Sequence, residues 1–369
     1  MRLGRKWAVV GVVLTLVGVI VGVVGWRSRD PWPARLVLKQ PKNCWPLGFS
    51  SDGRWYQTQD QQQVTSWDVT TGRTRQTPTV EWIGDKTLSK DQRIFAGLMV
   101  DGSRNPLVVW GDATTGEVKA RFPIPSRTAH HPSLVDEDRK IRVFLQAPND
   151  ALEVATWDIA SGAEAKRAIQ GPGAGYYGPV AYFPDGRTLA YLDRKRDGIQ
   201  LWDAEADRPT GGLLRTPATG RNARLSPDFG ILFSPDGRTL IADGGEGRVE
   251  FWDMADFHLI KALKLHPRGY TARVLKISPD GRTLTSTGCV MDSPSGIARI
   301  WEIARTLLTG LGTHEASVET VVVDLNTDRP LVRLPGSAAW GFSPDGRTIA
   351  TYDVKETISL RDAPRPEGR

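Results

Sequence analysis

Cysteine is nearly absent from this chain: 369 residues hold two, Cys44 and Cys289. Two thiols cannot build a disulfide framework or a cysteine zinc cluster. Histidine is almost as scarce, with five, and none stands at a metal-ligand spacing. His130-His131 is an adjacent pair before Pro132 and reads as a solvated loop, because no further ligands lie near it. No G-x-S-x-G, H-E-x-x-H, Walker loop or C-x-x-C occurs. No catalytic, cofactor or metal residue is therefore assigned, and a non-enzymatic protein without cofactor or metal is expected. An amphipathic helix of usable length is missing too, which points away from helical and α/β folds.

Excess charge is confined to one end. The formal net charge is +6, from 48 Lys+Arg and 42 Asp+Glu. Residues 1–29 hold Arg2, Arg5, Lys6, Arg27 and Arg29 and no acid, so the rest carries 43 basic against 42 acidic residues. A near-neutral body lacks the clustered basic excess that nucleic acid requires, and no nucleic-acid partner is expected.

Long apolar runs are also lacking, with one exception. Residues 7–26, WAVVGVVLTLVGVIVGVVGW, contain no charge. At 1.5 Å per residue they reach about 30 Å, the thickness of a bilayer's hydrocarbon core. Trp7 and Trp26 suit the two interfaces, and Arg or Lys flanks both sides. The expectation is a basic tail at 1–6, a transmembrane helix (a signal anchor) at 7–26 and a short linker at 27–33. A cleaved secretory signal ending near Val23-Val24-Gly25 is the alternative, although its apolar region is usually about 7–15 residues. Charges directly before an N-terminal span commonly keep the N-terminus inside. Because Arg27, Arg29, Arg35 and Lys39 also follow the span, the charge rule alone does not decide; the extracytoplasmic (periplasmic) side is favoured for the body of a single-pass membrane protein, with the cytoplasmic side as the alternative.

Tryptophan is the residue present in excess, with 13 copies. A phrase recurs along the chain: Ser50-Ser-Asp-Gly-Arg54, Phe183-Pro-Asp-Gly-Arg187, Ser234-Pro-Asp-Gly-Arg238, Ser278-Pro-Asp-Gly-Arg282 and Ser343-Pro-Asp-Gly-Arg347. Its aspartates are Asp52, Asp185, Asp236, Asp280 and Asp345. Weaker copies centre on Asp91 and Asp138. A second phrase follows at nearly fixed separation: Trp67-Asp68, Trp110 with Gly111-Asp112, Trp157-Asp158, Trp202-Asp203, Trp252-Asp253 and Trp301-Glu302. The seventh copy, Leu360-Arg361-Asp362, is degenerate. Seven units thus share two anchors.

Each unit reads as strands and turns. Pro-Asp-Gly supplies a fixed φ, a side chain that bonds nearby backbone, and a residue free to take positive φ. A β-rich run follows, such as Arg238–Ala242, then a polar turn and an alternating strand such as Arg248–Asp253. A second turn and a fourth strand, such as Leu259–Leu265, complete the unit. The repeated aspartates read as turn residues and the tryptophans as core.

These residues resemble the WD-repeat (Trp-Asp repeat) β-propeller family over about residues 35–363, in its looser, often bacterial, version. The family's Gly-His pair ahead of the first strand is missing; His266 and His314 stand in roughly that region. The resemblance implies an all-β, seven-bladed β-propeller of four-stranded antiparallel blades over 34–363, followed by a tail at 364–369. It also implies a platform for protein partners, with a ligand-binding, sensor or enzymatic use of the central channel as the alternative.

The last unit lacks a fourth strand, whereas Ala34–Lys39 is a spare strand at the start. That strand is expected to complete the seventh blade, since an open sheet edge would leave backbone groups unpaired. Unit six is irregular, with 44 residues from Trp301 to the next aspartate mark against 24–34 elsewhere. The extra length is placed at about Ala304–Val323, and Val318–Asp324 reads as part of a second hairpin. Gly171–Pro179 is a glycine-rich loop whose Tyr176 and Tyr177 are candidate partner contacts. Cys44 and Cys289 fall in units one and six, so they are not expected to pair.

Overall fold

The computed structural model describes residues 32–364 apart from internal gaps, the longest being 171–179, 216–229 and 291–317. The proposed span at 7–26 therefore lies outside the described residues, as do Asp185, Trp301, His314, Tyr176 and Tyr177. Among the described residues no helix is long and apolar enough to cross a membrane.

Seven four-stranded antiparallel sheets make up the fold. Strand β1 is Leu36–Leu38. Blade I follows as β2 (Trp45–Phe49), β3 (Trp55–Gln59), β4 (Gln63–Asp68) and β5 (Thr74–Pro78). Blade II is β6 (Trp82–Leu88), β7 (Ile94–Val100), β8 (Pro106–Asp112) and β9 (Val118–Pro123). Blade III is β10 (Thr128–Val135), β11 (Lys140–Gln146), β12 (Leu152–Asp158) and β13 (Glu164–Gln170). Blade IV is β14 (Val180–Tyr182), β15 (Thr188–Asp193), β16 (Gly198–Asp203) and β17 (Arg208–Pro209). Blade V is β18 (Ile231–Phe233), β19 (Thr239–Gly245), β20 (Arg248–Asp253) and β21 (Leu259–Lys264). Blade VI is β22 (Tyr270–Ile277), β23 (Thr283–Val290), β24 (Val318–Asp324) and β25 (Arg329–Pro335). Blade VII holds β26 (Ser337–Phe342), β27 (Thr348–Asp353) and β28 (Ile358–Asp362), and its fourth strand is β1. Leu36, Val37 and Leu38 lie opposite Leu360, Ser359 and Ile358. The ring thus closes with strands from both ends of the chain, which leaves no open blade.

The turn phrase folds the same way wherever it is described. In blade V, Ser234 Oγ donates to Asp236 Oδ1 at 2.6 Å, which also accepts the Arg238 amide at 3.0 Å. The Thr239 amide donates back to Ser234 Oγ at 3.0 Å, and Gly237 takes φ 71°. Asp52, Asp280 and Asp345 make the same contacts in blades I, VI and VII. The Ser234 hydroxyl and the Arg238 amide hold the Asp236 carboxyl below the usual range. The aspartate of the second phrase caps the next turn. Asp68 Oδ1 accepts the Thr70 and Thr71 amides at 3.0 and 2.9 Å. Both sets of carboxylates are therefore occupied in shaping turns.

The tryptophans fill the seams between blades. Trp67 packs with Leu38, Tyr56 and Leu360 between blades I and VII. Trp252 packs with Leu192, Leu201 and Phe233 between blades V and IV. Trp157, 2% exposed, stacks on Phe122 and joins a seam with Leu98 and Val108 of blade II. Trp202 stands at the equivalent place in β16, opposite Leu189.

Blades II and VI depart from the expected anchors, and in blade VII the degenerate copy Leu360-Arg361-Asp362 holds its expected place. In blade II, Asp112 lies opposite Ile94, so the tryptophan place falls on Gly111, opposite Phe95. Trp110 is one residue early and packs on the other face, into the blade II–III seam. A Cβ at Gly111 would lie 2.7 Å from the Phe95 ring and 2.0 Å from Glu117 O, so Phe95 occupies the space an indole takes elsewhere. In blade VI the third strand is β24, where Val323 and Asp324 lie opposite Leu284 and Thr283. Val323-Asp324, not Trp301-Glu302, thus occupies the anchor place, and the extra residues precede the third strand instead of following it. Asp324 accepts the Asn326 amide at 2.9 Å and the Thr327 hydroxyl at 2.8 Å, as its counterparts do. In blade VII, Arg361 takes the tryptophan place, opposite Ile349. Its Nε donates to Thr351 Oγ1 at 3.1 Å, as Trp67 Nε1 donates to Thr58 Oγ1 at 3.1 Å. The missing indole is supplied by Trp32, whose ring lies 5.6 Å from the Arg361 guanidinium and whose Nε1 donates to Asp362 O at 2.9 Å.

Candidate interaction surfaces

Three clusters of polar side chains have residue types that could carry chemistry. The first has the residue types of a hydrolase triad. His266 Nε2 lies 2.8 Å from Ser286 Oγ, and Nδ1 lies 3.3 Å from Glu319 Oε2. Arg333 Nη1 donates to the same Glu319 oxygen at 3.3 Å and to Leu265 O at 2.8 Å. A nucleophile must reach a substrate carbonyl, but Ser286 is 0% exposed, in mid-strand, and His266 is 2% exposed. As folded, the group is a buried strut that ties the approach to blade VI onto β23 and β24. The signal for it was the lone His266 just ahead of β22.

The second cluster is on the exposed turn after β20. Asp253, Asp256 and His258 bring three potential ligand atoms within 4.8 Å of one another. Both carboxylates already accept turn amides, Asp253 from Ala255 and Asp256 from His258. His130-His131, expected in a loop, lies instead within β10, next to a register shift between His130 and Ser133. Cys44 and Cys289 form no disulfide.

The third cluster lies on one face of β20. Glu250 is 3% exposed, and its Oε2, Arg248 Nε and Trp252 Nε1 are buried without a hydrogen-bond partner. Blade I places Thr58 opposite Thr65, whereas blade V places Ala242 opposite Glu250. The hydroxyl that accepts the Trp67 N–H has thus been exchanged for a methyl group. Burial pushes the Glu250 carboxyl up to about 7; the Trp252 N–H, near it but without well-formed hydrogen-bond geometry, and the Arg248 charge oppose this less. Burial likewise pushes Asp243 up to about 6. A carboxyl raised in the folded state contributes stability that is fully present below its unfolded value and is lost as pH rises through the folded one. Stability is therefore expected to fall by about 1–3 kcal/mol between about pH 5 and pH 8. Glu250→Gln should flatten most of that slope and stabilise the protein at pH 8, read as the urea midpoint against pH. An unchanged slope in the variant would contradict this assignment.

Two surfaces remain for contact. The first strands of the blades line the ring's centre. Several of these strands carry register shifts that re-aim a side chain. Trp340 stands at one of them, between Ala339 and Gly341, and is 39% exposed. The second surface is the circumference. Among the described residues the third strands carry ten acids, and Arg248 and Arg361 are their only two bases. The outermost strands carry ten Lys or Arg and one acid, Glu164. Several third-strand acids are spent locally: Arg187 Nε and Nη2 both reach Asp203 Oδ2, at 2.9 and 2.8 Å, turn amides take Asp68, Asp158, Asp253 and Asp324, Glu319 holds His266 and Arg333, and Asp362 pairs with Arg35. Composition alone hid this segregation, because the two sets cancel.

No family model matches the chain. The chain is 29% identical over 183 residues, 49% of its length, to Centriole proteome protein 16 of Chlamydomonas reinhardtii. It is 26% identical over 113 residues, 31% of its length, to Protein groucho of Drosophila melanogaster. The matches span 8% and 14% of those two proteins, so the chain corresponds to a small part of either. With the seven-bladed ring, they support a WD-repeat-like propeller.

Proposed function

We propose that the protein is a non-enzymatic scaffold that holds protein partners on a rigid ring at a membrane. Residues 7–26 are its span, and the propeller lies on the extracytoplasmic (periplasmic) side. The observation that carries this reading is how the repeated polar groups are used. Among the described residues the aspartates of the repeated phrases shape turns and the triad-like group is sealed, while Trp340 stays exposed on a rigid frame. Fold alone does not fix function, and the partners are proteins of unspecified identity. The loop at 171–179, with Tyr176 and Tyr177, is one of the contacts offered.

The test follows a C-terminal tag on the full chain. Carbonate-washed membranes should retain a product near 40.6 kDa, and protease added to intact spheroplasts should remove the tag. A soluble product about 3 kDa smaller would show a cleaved signal and end the anchored reading. A retained but protected tag would put the ring on the cytoplasmic side and overturn the orientation.

A further inference from the structure

The repeated turns share one face of the ring. A Cβ at Gly53 of blade I would meet the Pro344 ring of blade VII at 3.5 Å, one at Gly346 the Pro279 ring of blade VI at 3.5 Å, and one at Gly281 the Pro235 ring of blade V at 3.6 Å. Gly237 of blade V stands against Phe183 of blade IV. The turns thus lie side by side around the ring. Strand direction puts the turns after Asp68, Asp253 and Asp324 on the same face, because these residues lie opposite Trp55, Thr239 and Thr283. The connections from β3 to β4, from β19 to β20 and from each blade to the next leave from the opposite face.

The chain enters the ring at that turn face. β1 runs antiparallel to β28, with Leu36 opposite Leu360 and Leu38 opposite Ile358, so it begins where β28 ends, at Asp362. Thr348, the first residue after the Ser343–Arg347 turn, lies opposite Asp362. Trp32 and Arg35 grip this end. Trp32 is 7% exposed and packs between blades VI and VII against Val322, Leu334, Ala339 and Ile349. Arg35 donates from Nη1 to Asp362 Oδ1 at 2.8 Å and from Nη2 to Thr348 Oγ1 at 3.3 Å, and its amide donates to Leu360 O at 2.8 Å. Five residues, 27–31, lie between the apolar stretch and Trp32, a reach of about 20 Å at full extension. The ring is itself about 20 Å deep here, since β24 and β27 have seven and six residues. The free chain is therefore too short to pass the rim and turn the opposite face toward the surface that the stretch enters. Without the Trp32 and Arg35 contacts it would run to β1 over nine residues, 27–35, and reach about 30 Å.

Resting on the reading that residues 7–26 span a membrane, we propose that Trp32 and Arg35 hold the propeller with its turn face toward the membrane and leave the opposite face to the partner proteins. A short tether fixed at one face permits only those rotations of the ring that keep this face near the surface. Trp340 suits this arrangement, since its ring lies 6.4 Å from Tyr352, which is next to last in β27 and at the end away from the turns.

The test reconstitutes the full chain, with Cys44→Ser and Cys289→Ser, into phosphatidylcholine vesicles that carry a nitroxide on some headgroups. A fluorophore is attached at Arg238→Cys, on the turn face, or at Pro267→Cys, beside Gly247 on the opposite face; both positions are exposed. Quenching should be about threefold stronger at the Arg238 site, because a strand's length separates the two. Trp32→Ala with Arg35→Ala should bring the ratio close to one. An insertion of about 20 Gly and Ser residues between Arg29 and Asp30 should do the same while every contact within the ring stays in place. Equal quenching at the two sites, stronger quenching at the Pro267 site, or a ratio that the insertion leaves unchanged would overturn the proposal with the anchored reading intact. Loss of the chain from carbonate-washed vesicles would instead remove the anchored reading itself.

Discussion

Gly111→Trp is expected to destabilise the protein by about 3 kcal/mol or more, although it writes the repeat's Trp-Asp pair into blade II. The reason is local. The Phe95 ring fills the place, and a Cβ would already stand 2.0 Å from Glu117 O. Adding Phe95→Ala should recover little, because the Glu117 carbonyl is backbone and cannot swing away. Blade III gives the opposite case. Trp157 is sealed and stacked on Phe122, with centroids 6.3 Å apart, and Trp157→Ala should cost about 3–5 kcal/mol. Urea unfolding followed by circular dichroism measures both. A Gly111→Trp variant as stable as the parent would show that the space exists and that the register of blade II is misassigned.

The second large effect concerns closure. Leu38 is 1% exposed on a strand of three residues, Leu36–Leu38, and packs with Tyr56, Ala350, Ile358 and Leu360. Leu38→Asp would bury a carboxylate with no cation placed for it, opposite Ile358. A loss of about 4 kcal/mol or more is expected. Val37→Asp, one residue away on the exposed face, should stay within about 0.5 kcal/mol. Equal costs at the two positions would mean that β1 is not sealed against blade VII.

Much of the architecture was legible because one local chemistry recurs. Ser-Pro-Asp-Gly-Arg encodes a turn whose hydrogen bonds close within six residues, so each copy could be read without its neighbours. The spare strand at the start found its place because an unfilled blade needs a fourth strand. What could not be read depends on contacts across strands. Nothing in the string Val108-Val-Trp-Gly-Asp112 says that the anchor place is Gly111, since the register against Phe95 decides it. Trp301-Glu302 imitated an anchor by composition, while Val323-Asp324 met the true requirement, an aspartate that caps the next turn. The turn residues Asn326-Thr327 after Asp324, parallel to Thr70-Thr71 after Asp68, were the signal that could have found it. Arg361 was degenerate by letter yet makes the tryptophan's hydrogen bond, and Trp32, read only as linker, brings the indole. The basic circumference was invisible because each outer strand other than β1 contributes one or two cations, and the third-strand acids cancel them in any sum.

The account rests on a ring closed within one chain by the strand next to the proposed span. A paired cysteine substitution, Val37→Cys with Ser359→Cys, tests this most directly. The two positions are directly opposed in the antiparallel pair, at a Cα separation of about 4.5–5.5 Å that suits a disulfide. Mild oxidation of the full-length variant should give a fast, dithiothreitol-reversible mobility shift of a monomer in non-reducing gels, with neither single variant shifting. A cross-linked dimer would mean that the strand closes a neighbouring copy's ring, and the absence of any cross-link would mean that β1 does not pair with β28 at all.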